Sequence, residues 1–276
     1  MQIALHREGF PDAPALDTAV SHALLREADA GRGRESLRLY TPGDALAFSV
    51  LDRTRPGFPL AVARARAAGF TPILRLAGGH AAVFERGALA FAWTVPARSP
   101  RDGIRARFAA IASRIERALR RLGIDARTGE VAGEYCPGEF SVNARGAVKL
   151  AGIGQRVLRG AAHVGGVVVV RDAPRVRDVL EQVYEALDLP LAGATTGSVE
   201  NELPGATAAD VAAALIAEIA SERACAEAPL PPAALEAART LAPGHALEID
   251  IPASACAEDL EPDGKLLLAR ARALEV

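Results

Sequence analysis

Gly133-Glu134-Tyr135-Cys136-Pro137-Gly138-Glu139-Phe140-Ser141-Val142-Asn143-Ala144-Arg145-Gly146-Ala147-Val148-Lys149-Leu150-Ala151-Gly152-Ile153-Gly154-Gln155-Arg156 joins a loop cysteine, a turn and a strand that carries one lysine. Cys136 stands between an aromatic residue and Pro-Gly, which is loop composition. A free Cys there reads either as a small buried hydrophobe or as a nucleophile, because a loop thiol beside a cation attacks as thiolate. Asn143-Ala144-Arg145-Gly146 is hairpin-turn composition. It predicts that Val142 pairs with Ala147 and that Phe140 opposes Lys149. Cys136 then falls about four residues further on, roughly 13 Å along a straight strand at ~3.3 Å per residue. Contact with Lys149 requires the Cys136-Pro137-Gly138 loop to curl back, which Pro-Gly permits. A lone Lys in an alternating strand otherwise points to solvent.

The rest of the chain makes that lysine unusual. Of 32 basic residues only Lys149 and Lys265 are Lys. A GC-rich codon bias explains the Arg excess, yet a Lys that survives it is a candidate for chemistry Arg cannot do: a slim point charge instead of a planar fork. Lys265, in a polar stretch near the C-terminus, reads as solvated. The formal charge is −2 over 276 residues, which gives no general attraction to nucleic acid or anionic membrane. The three cysteines, Cys136, Cys225 and Cys256, form no C-x-x-C pair, so neither a disulfide framework nor a four-cysteine zinc site is expected, and no other metal ligand set is evident. The opening Met1-Gln2-Ile3-Ala4-Leu5-His6-Arg7-Glu8 reaches charge too early for a secretion signal, and no apolar run nears the ~20 residues of a membrane span. A reducing cytoplasm is the expected setting.

Outward from the quoted stretch, periodicity predicts helices over 12–30, 59–68, 174–188, 207–223 and 233–241. Ser99-Pro100-Arg101-Asp102 predicts the opening of another helix, with Ile104, Phe108, Ile111, Ile115 and Leu119 on its apolar face and Gly123 at its end. Its opposite face is rich in Arg and reads as a solvated face or, less simply, a dock for an acidic partner. Strands are predicted at 37–40, 46–51 and 72–76, with 81–84 and 89–95 as a hairpin around Glu85-Arg86-Gly87 and more strands between 128 and 170. Irregular mixing of strands and helices argues for α+β or mixed α/β. Residues 228–276, with Pro229, Pro231 and Pro232, differ in composition and read as a small extension beyond a main unit of 1–227.

A second segment, Arg75-Leu76-Ala77-Gly78-Gly79-His80-Ala81-Ala82-Val83-Phe84, places a Gly pair between strands. Two glycines let backbone approach a ligand closely, although alone they read as a turn. His80 directly follows the pair, and His163 in Ala161-Ala162-His163-Val164-Gly165-Gly166 begins another strand.

The order Arg-x-x-Gly-Gly-x-Ala, then Cys-Pro-Gly-x-Phe, then Lys-x-Ala-Gly-x-x-Gln-Arg resembles the biotin/lipoate A/B protein ligase (BPL/LPL) family over roughly 12–225. Within it the likeness is to the octanoyl-[glycine cleavage H protein]:protein N-octanoyltransferases, amidotransferases of lipoate assembly. The resemblance implies an α+β catalytic domain over 1–227: a central mixed, largely antiparallel sheet flanked by helices, as in class II aminoacyl-tRNA synthetases and biotin synthetase. The extension over 228–276 is expected to pack on the same domain. The resemblance further implies that Cys136 takes an octanoyl group as a thioester and that Lys149 lies by the acyl carbonyl. It implies an acyl tunnel and substrate contacts at Arg75, Ala77, Gly78, Gly79, His80, Ala81, Ala151, Gly152, Gln155 and His163, with Ala82 and Val83 as further small lining residues. His163 reads as a proton shuttle or as a structural His.

Implied partners are lipoyl-domain proteins, namely the glycine cleavage H protein and 2-oxoacid dehydrogenase E2 subunits, or acyl carrier protein as donor. No cofactor is required on this reading. Two alternatives stand beside it: an ATP- and Mg2+-dependent lipoate–protein ligase that needs Lys149 but no nucleophilic Cys, and a non-catalytic binder of acyl groups or lipoyl domains. The sequence departs from the family at Leu76-Ala77, where many members carry a polar pair, and at Phe91-Ala92-Trp93, where an Asn-containing strand is usual.

Overall fold

A computed structural model describes residues 2–248; Cys256 and Lys265 lie outside the described residues. The strands are β1 (Ile3–His6), β2 (Ser36–Tyr40), β3 (Ala45–Phe48), β4 (Thr71–Leu74), β5 (Ala82–Phe84), β6 (Leu89–Pro96), β7 (Ala126–Thr128), β8 (Val142–Ala144), β9 (Val148–Val157), β10 (Ala161–Val168) and β11 (Cys225–Glu227). The α-helices are α1 (Pro14–Asp29), α2 (Phe58–Ala67), α3 (Ile104–Arg121), α4 (Ala173–Ala186), α5 (Val199–Glu202), α6 (Ala208–Glu222) and α7 (Pro232–Leu241). Eight strands form one sheet in the order β11-β1-β2-β6-β10-β9-β8-β7, and β4-β3-β5 form a second. The large sheet is mixed: β1 runs parallel to β11 and β2, and its other neighbours are antiparallel. Helices flank both sheets, so the fold is α+β.

Two cores explain the arrangement. On one face of the large sheet, Ile111, Ile115 and Leu119 of α3 and Val211, Leu215 and Ile219 of α6 pack on Leu37, Trp93, Leu150 and Val164. Against the small sheet, Phe58 and Val62 of α2 and Val176, Leu180 and Val183 of α4 enclose Leu46, Phe48 and Val83. The described part of the segment after 227 is not free-standing: Leu230, Ala234 and Ala238 pack on Val20, Ala23 and Leu24 of α1.

Four sequence expectations change. The 81–84 and 89–95 strands are not a hairpin: β5 pairs with β3, whereas β6 pairs with β2 and β10. The turn at 85–88 therefore passes the chain from the small sheet to the large one. The helix expected to open at Ser99-Pro100 starts at Ile104 behind Gly103; the 99–103 turns are held instead by the buried Arg107 guanidinium, which donates to the Pro100 carbonyl. Phe108 stacks on Phe140, and Ile104 is exposed, so the inner face narrows to Ile111, Ile115 and Leu119. The Arg face of α3 is partly solvated, with Arg105, Arg120 and Arg121 exposed, and is also tied to the protein itself by ion pairs. Arg114 and Arg117 pair with Glu222, and Arg117 and Arg121 with Glu218, all on α6. The hairpin register also shifts. Arg145 (φ +58°) and Gly146 (φ +70°) turn the chain and Ala147 completes a three-residue connection; Ala144 pairs with Val148 and Asn143, not Phe140, opposes Lys149, with a bulge beside Val142.

Candidate active site

The segment 129–141 leaves the edge of the large sheet and curls back, bringing Cys136 to Lys149. Glu134 organises the loop. Its buried carboxylate accepts from the N–H groups of Val131 (3.1 Å) and Gly138 (3.2 Å), from the Ser141 hydroxyl and from Lys149 Nζ (3.0 Å). Lys149 is 1% exposed and does not point to solvent. Besides Glu134 it donates to the carbonyls of Tyr135 (2.9 Å) and Cys136 (2.8 Å), with the Tyr135 ring 4.7 Å away. Burial pushes the ammonium below its usual basicity, opposed chiefly by Glu134. Three acceptors around one nitrogen match the three protons of an ammonium. Lys149 thus holds the main chain behind Cys136 and has no hydrogen bond to the thiol.

Cys136 takes φ +42°, a conformation rare for a residue with a side chain and one that surrounding contacts must sustain. Three elements do so. Lys149 on β9 holds the carbonyl. The Tyr184 hydroxyl on α4 accepts the Cys136 N–H (2.6 Å) and donates to the Ala81 carbonyl (2.9 Å); burial raises the phenol well above its ordinary pKa, so it stays protonated. The sulfur accepts from the His80 N–H at 3.2 Å, with Arg75 Nη1 3.7 Å away. Gly79 makes this approach possible: at φ +102°, a Cβ there would lie 2.6 Å from Sγ. Arg75 also donates to the His80 carbonyl (2.7 Å), closing the 75–80 turn around the sulfur. The His80 ring pairs through Nδ1 with Asp52 Oδ1 at 2.9 Å; Asp52 is fully buried and also accepts from the Ser49 N–H.

Two concavities lie on the 75–80 segment, one reaching Arg75, Leu76 and Ala77 and the other Gly78 and Gly79. One is bounded by Asp17, Thr18 and Ser21 of α1, by Tyr40, Ala45, Ala47, Ile73 and Phe84, and by Arg75, Leu76, Ala77, Phe91, Ala92, His163, Gly165 and Gly166. The departures at 76–77 and 91–92 therefore make its wall more apolar. His163 is buried, and burial, with the charges of His22, Arg75 and Arg38, pushes it down to about 4, so it is neutral at neutral pH. The other concavity is an open groove that holds Cys136 with Gly78, Gly79, Ile104, Phe108, Pro137, Phe140 and Gln155.

The structure thus gathers Cys136, Lys149, Arg75, Gly78, Gly79 and His80 around one point. Ala77 and His163 face the first concavity. Gly152 lies beside the Lys149 stem: a Cβ there would come within 3.4 Å of Cε. Gln155 lines the groove but is occupied, accepting from Arg107 (2.7 Å) and donating to the Ile104 carbonyl (3.2 Å). Ala81, Ala82, Val83 and Ala151 line neither concavity; their side chains pack in the two cores. Asp52, Glu134 and Tyr184 were not singled out by sequence. Glu134 had a usable signal, since a buried Lys needs a counter-ion. The spacing of Ser49 and Asp52 was another, as a local side chain–backbone pair.

The lipoyl protein ligase A/B catalytic domain profile matches residues 13–220. The octanoyl-[GcvH]:protein N-octanoyltransferase of Exiguobacterium sp. AT1b is 30% identical over 162 residues, 58% of this chain and 56% of that one. The Geobacillus kaustophilus protein of the same name is 26% identical over 168 residues, 60% and 59% of the two chains. The chain thus spans little more than half the length of these curated relatives. In fold it is similar to a lipoate-protein ligase A with ATP bound (TM-score 0.71, 19% identity, 88% of this chain and 95% of that one). It is also similar to the Thermoplasma acidophilum bipartite lipoate protein ligase solved with its E2 lipoyl domain (TM-score 0.65, 18% identity, 88% and 92%). A profile match over most of the chain shows that it belongs to the lipoyl protein ligase A/B catalytic domain family.

Proposed function

We propose that this chain is an amidotransferase that moves an octanoyl or lipoyl group from one protein lysine to another through a thioester on Cys136. The observation that carries the reading is the sulfur itself: it sits in an open groove, in a left-handed backbone conformation, held by the His80 N–H and the Arg75 side. A cysteine that served only packing needs none of these. In the first half-reaction Sγ attacks the donor amide carbonyl, the C–N bond breaks, and the donor amine leaves with the thiol's proton. In the second, the acceptor lysine amine attacks the thioester and sulfur leaves. One amide is exchanged for another, so the cycle needs no ATP.

The apolar concavity beside Ala77 and Phe91 suits the acyl chain, and the groove that holds Cys136 and the Gly pair suits the acceptor lysine. Lys149 acts from behind the loop as a fixed ammonium that holds the Cys136 carbonyl and adds positive potential near the reacting carbonyl. By the names of the relatives, the donor is octanoylated GcvH and the acceptor a protein; a lipoyl domain is the acceptor proposed for this chain, and octanoyl-acyl carrier protein the other donor to try. A reducing compartment keeps the thiol available.

Intact-mass analysis after incubation with octanoyl-H protein, without ATP, tests this. A hydroxylamine-labile octanoyl adduct on Cys136, absent from Cys136→Ser, is expected. ATP-dependent labelling of a lipoyl domain from free octanoate or lipoate, undiminished in Cys136→Ser, would show an adenylating ligase instead.

A further inference from the structure

Aminolysis of a thioester needs a group that takes a proton from the attacking amine and returns one to sulfur. Lys149 is poorly placed for this, because its three N–H groups are spent on Glu134, Tyr135 and Cys136 oxygens on the main-chain side of the loop. Arg75 is committed to the His80 carbonyl. The Tyr184 hydroxyl already donates to Ala81 and accepts from Cys136.

His80 differs from all three. Its amide touches the sulfur. Its Nδ1 faces Asp52 Oδ1, and among the described residues the Asp52 carboxylate otherwise accepts from the Ser49 N–H. A carboxylate accepts, so Nδ1 carries the proton and Nε2 keeps a lone pair. Among the described residues Nε2 has no hydrogen-bond partner, and 27% of the side chain is exposed. A buried acid that fixes the tautomer of a partly open imidazole, on a residue whose own N–H touches the nucleophile, is an arrangement from which His can serve as general base.

We propose that His80, oriented by Asp52, is the proton-transfer residue of this centre. The proposal rests on the thioester route above. As the acceptor amine nitrogen bonds to the thioester carbonyl carbon, Nε2 takes its proton. As the C–S bond breaks, sulfur leaves with the bonding electron pair and receives that proton. In the first half-reaction the same nitrogen takes the Cys136 proton and passes it to the departing donor amine. Asp52, from its 3-10 turn, meets the imidazole itself; Arg75 meets the His80 carbonyl and the Cys136 sulfur the His80 N–H, with the Tyr184 hydroxyl bridging the Ala81 carbonyl and the Cys136 N–H.

The test uses the full chain, loaded as octanoyl-Cys136 by the H-protein donor and mixed with excess lipoyl domain, with the single-turnover rate followed from pH 5.5 to 9. For the wild type the rate rises through a His-like inflection. His80→Gln is expected to lose about 10²-fold or more, the range for one general base, together with that inflection. Asp52→Asn, which keeps shape but no longer fixes the tautomer, is expected to lose rate and move the inflection. In His80→Ala, added imidazole is expected to restore part of the rate; a purely structural role gives no such rescue. His80→Gln that loads normally and transfers within about threefold of wild type, with an unchanged pH profile, would overturn this proposal alone. Loss without imidazole rescue in His80→Ala and with the wild-type inflection kept in His80→Gln would also overturn it. Absence of any adduct on the wild type would overturn the thioester reading, and this one with it.

Discussion

The Glu134–Lys149 pair is expected to be costly to break and cheap to remove. Both groups are essentially fully buried. Lys149→Met leaves the carboxylate without its cation and strips a donor from the carbonyls of Tyr135 and Cys136. Glu134→Gln keeps an acceptor for Gly138 and Ser141 but leaves the ammonium without a counter-charge. Breaking one side of a buried pair costs about 3–5 kcal/mol, a large part of a typical total of about 5–15 kcal/mol. The double variant removes both charges at once. Its remaining cost is unpaired carbonyls and one Gln N–H facing the Val131 N–H, roughly 1–3 kcal/mol for each unsatisfied group and partly shared. Additivity would predict about 6–10 kcal/mol for the double variant, the sum of two such losses; the structure predicts about 2–4 kcal/mol, no worse than either single. Urea unfolding of the four proteins, with m unchanged, gives the coupling energy directly. Additive losses, or singles that cost under about 1 kcal/mol, would refute the claim that this pair anchors the loop, since only exposed pairs are worth so little.

Gly79→Ala puts a methyl where Cys136 Sγ lies; octanoylation and iodoacetamide labelling of Cys136 should slow by at least about 10²-fold, the cost of a misplacement near 1 Å, and wild-type labelling would contradict the close approach. Lys149→Arg keeps charge but must fit a planar fork into a space shaped for one ammonium. It is expected to destabilise by about 1–3 kcal/mol through overpacking and to fail in transfer nearly as completely as Lys149→Ala, so normal adduct formation by the Arg variant would refute the slim-ammonium argument. His163 titrates at about 4 when folded against 6.5 ordinarily, so between those values the unfolded chain binds more protons. Its contribution makes stability rise with pH across that window and fall on acidification, by up to about 3 kcal/mol. Glu85, raised to about 7 mainly by burial, slopes the opposite way. The difference between wild-type and His163→Gln urea midpoints from pH 4 to 7 therefore isolates the histidine, and parallel curves would show that His163 is not buried as a neutral ring.

Local signals carried much of the fold. The Thr207–Asp210 capping box opens α6 as read, and the four-residue spacing of Leu16, Val20 and Leu24 marks α1. What local pattern could not show is which sheet a strand joins. β5 and β6 are adjacent in sequence with a good turn between them, yet the partner of each is fixed by burial against distant strands. β1 went unread because four fully buried residues have no alternation to detect. The ion pairs of α3 were out of reach for the same reason as the partners of β5 and β6: Arg117 meets Glu218 and Glu222 about a hundred positions away. At the site, Cys136, Lys149 and the Gly pair were legible because their residue types are unusual where they stand. Asp52, Glu134 and Tyr184 are common types, and their roles come from contacts that span 15 to 48 residues.

Those long contacts converge on one residue. The N–H of Cys136 is held from α4, its carbonyl from β9 and its sulfur from the loop between β4 and β5. α4 and that loop belong to the small-sheet layer, and β9 to the large sheet. A left-handed cysteine costs of order 1–3 kcal/mol and persists only if all three holds persist together. The thiol's direction is then a property of how the two layers are packed rather than of its own loop. It follows that a change in the interior of α4 that rotates Tyr184, though far from any substrate, acts on the sulfur as directly as a change in the groove. It also follows that the Gly78-Gly79 turn, whose Gly79 has room for no Cβ against the sulfur, transmits the packing of the small-sheet layer to the thiol.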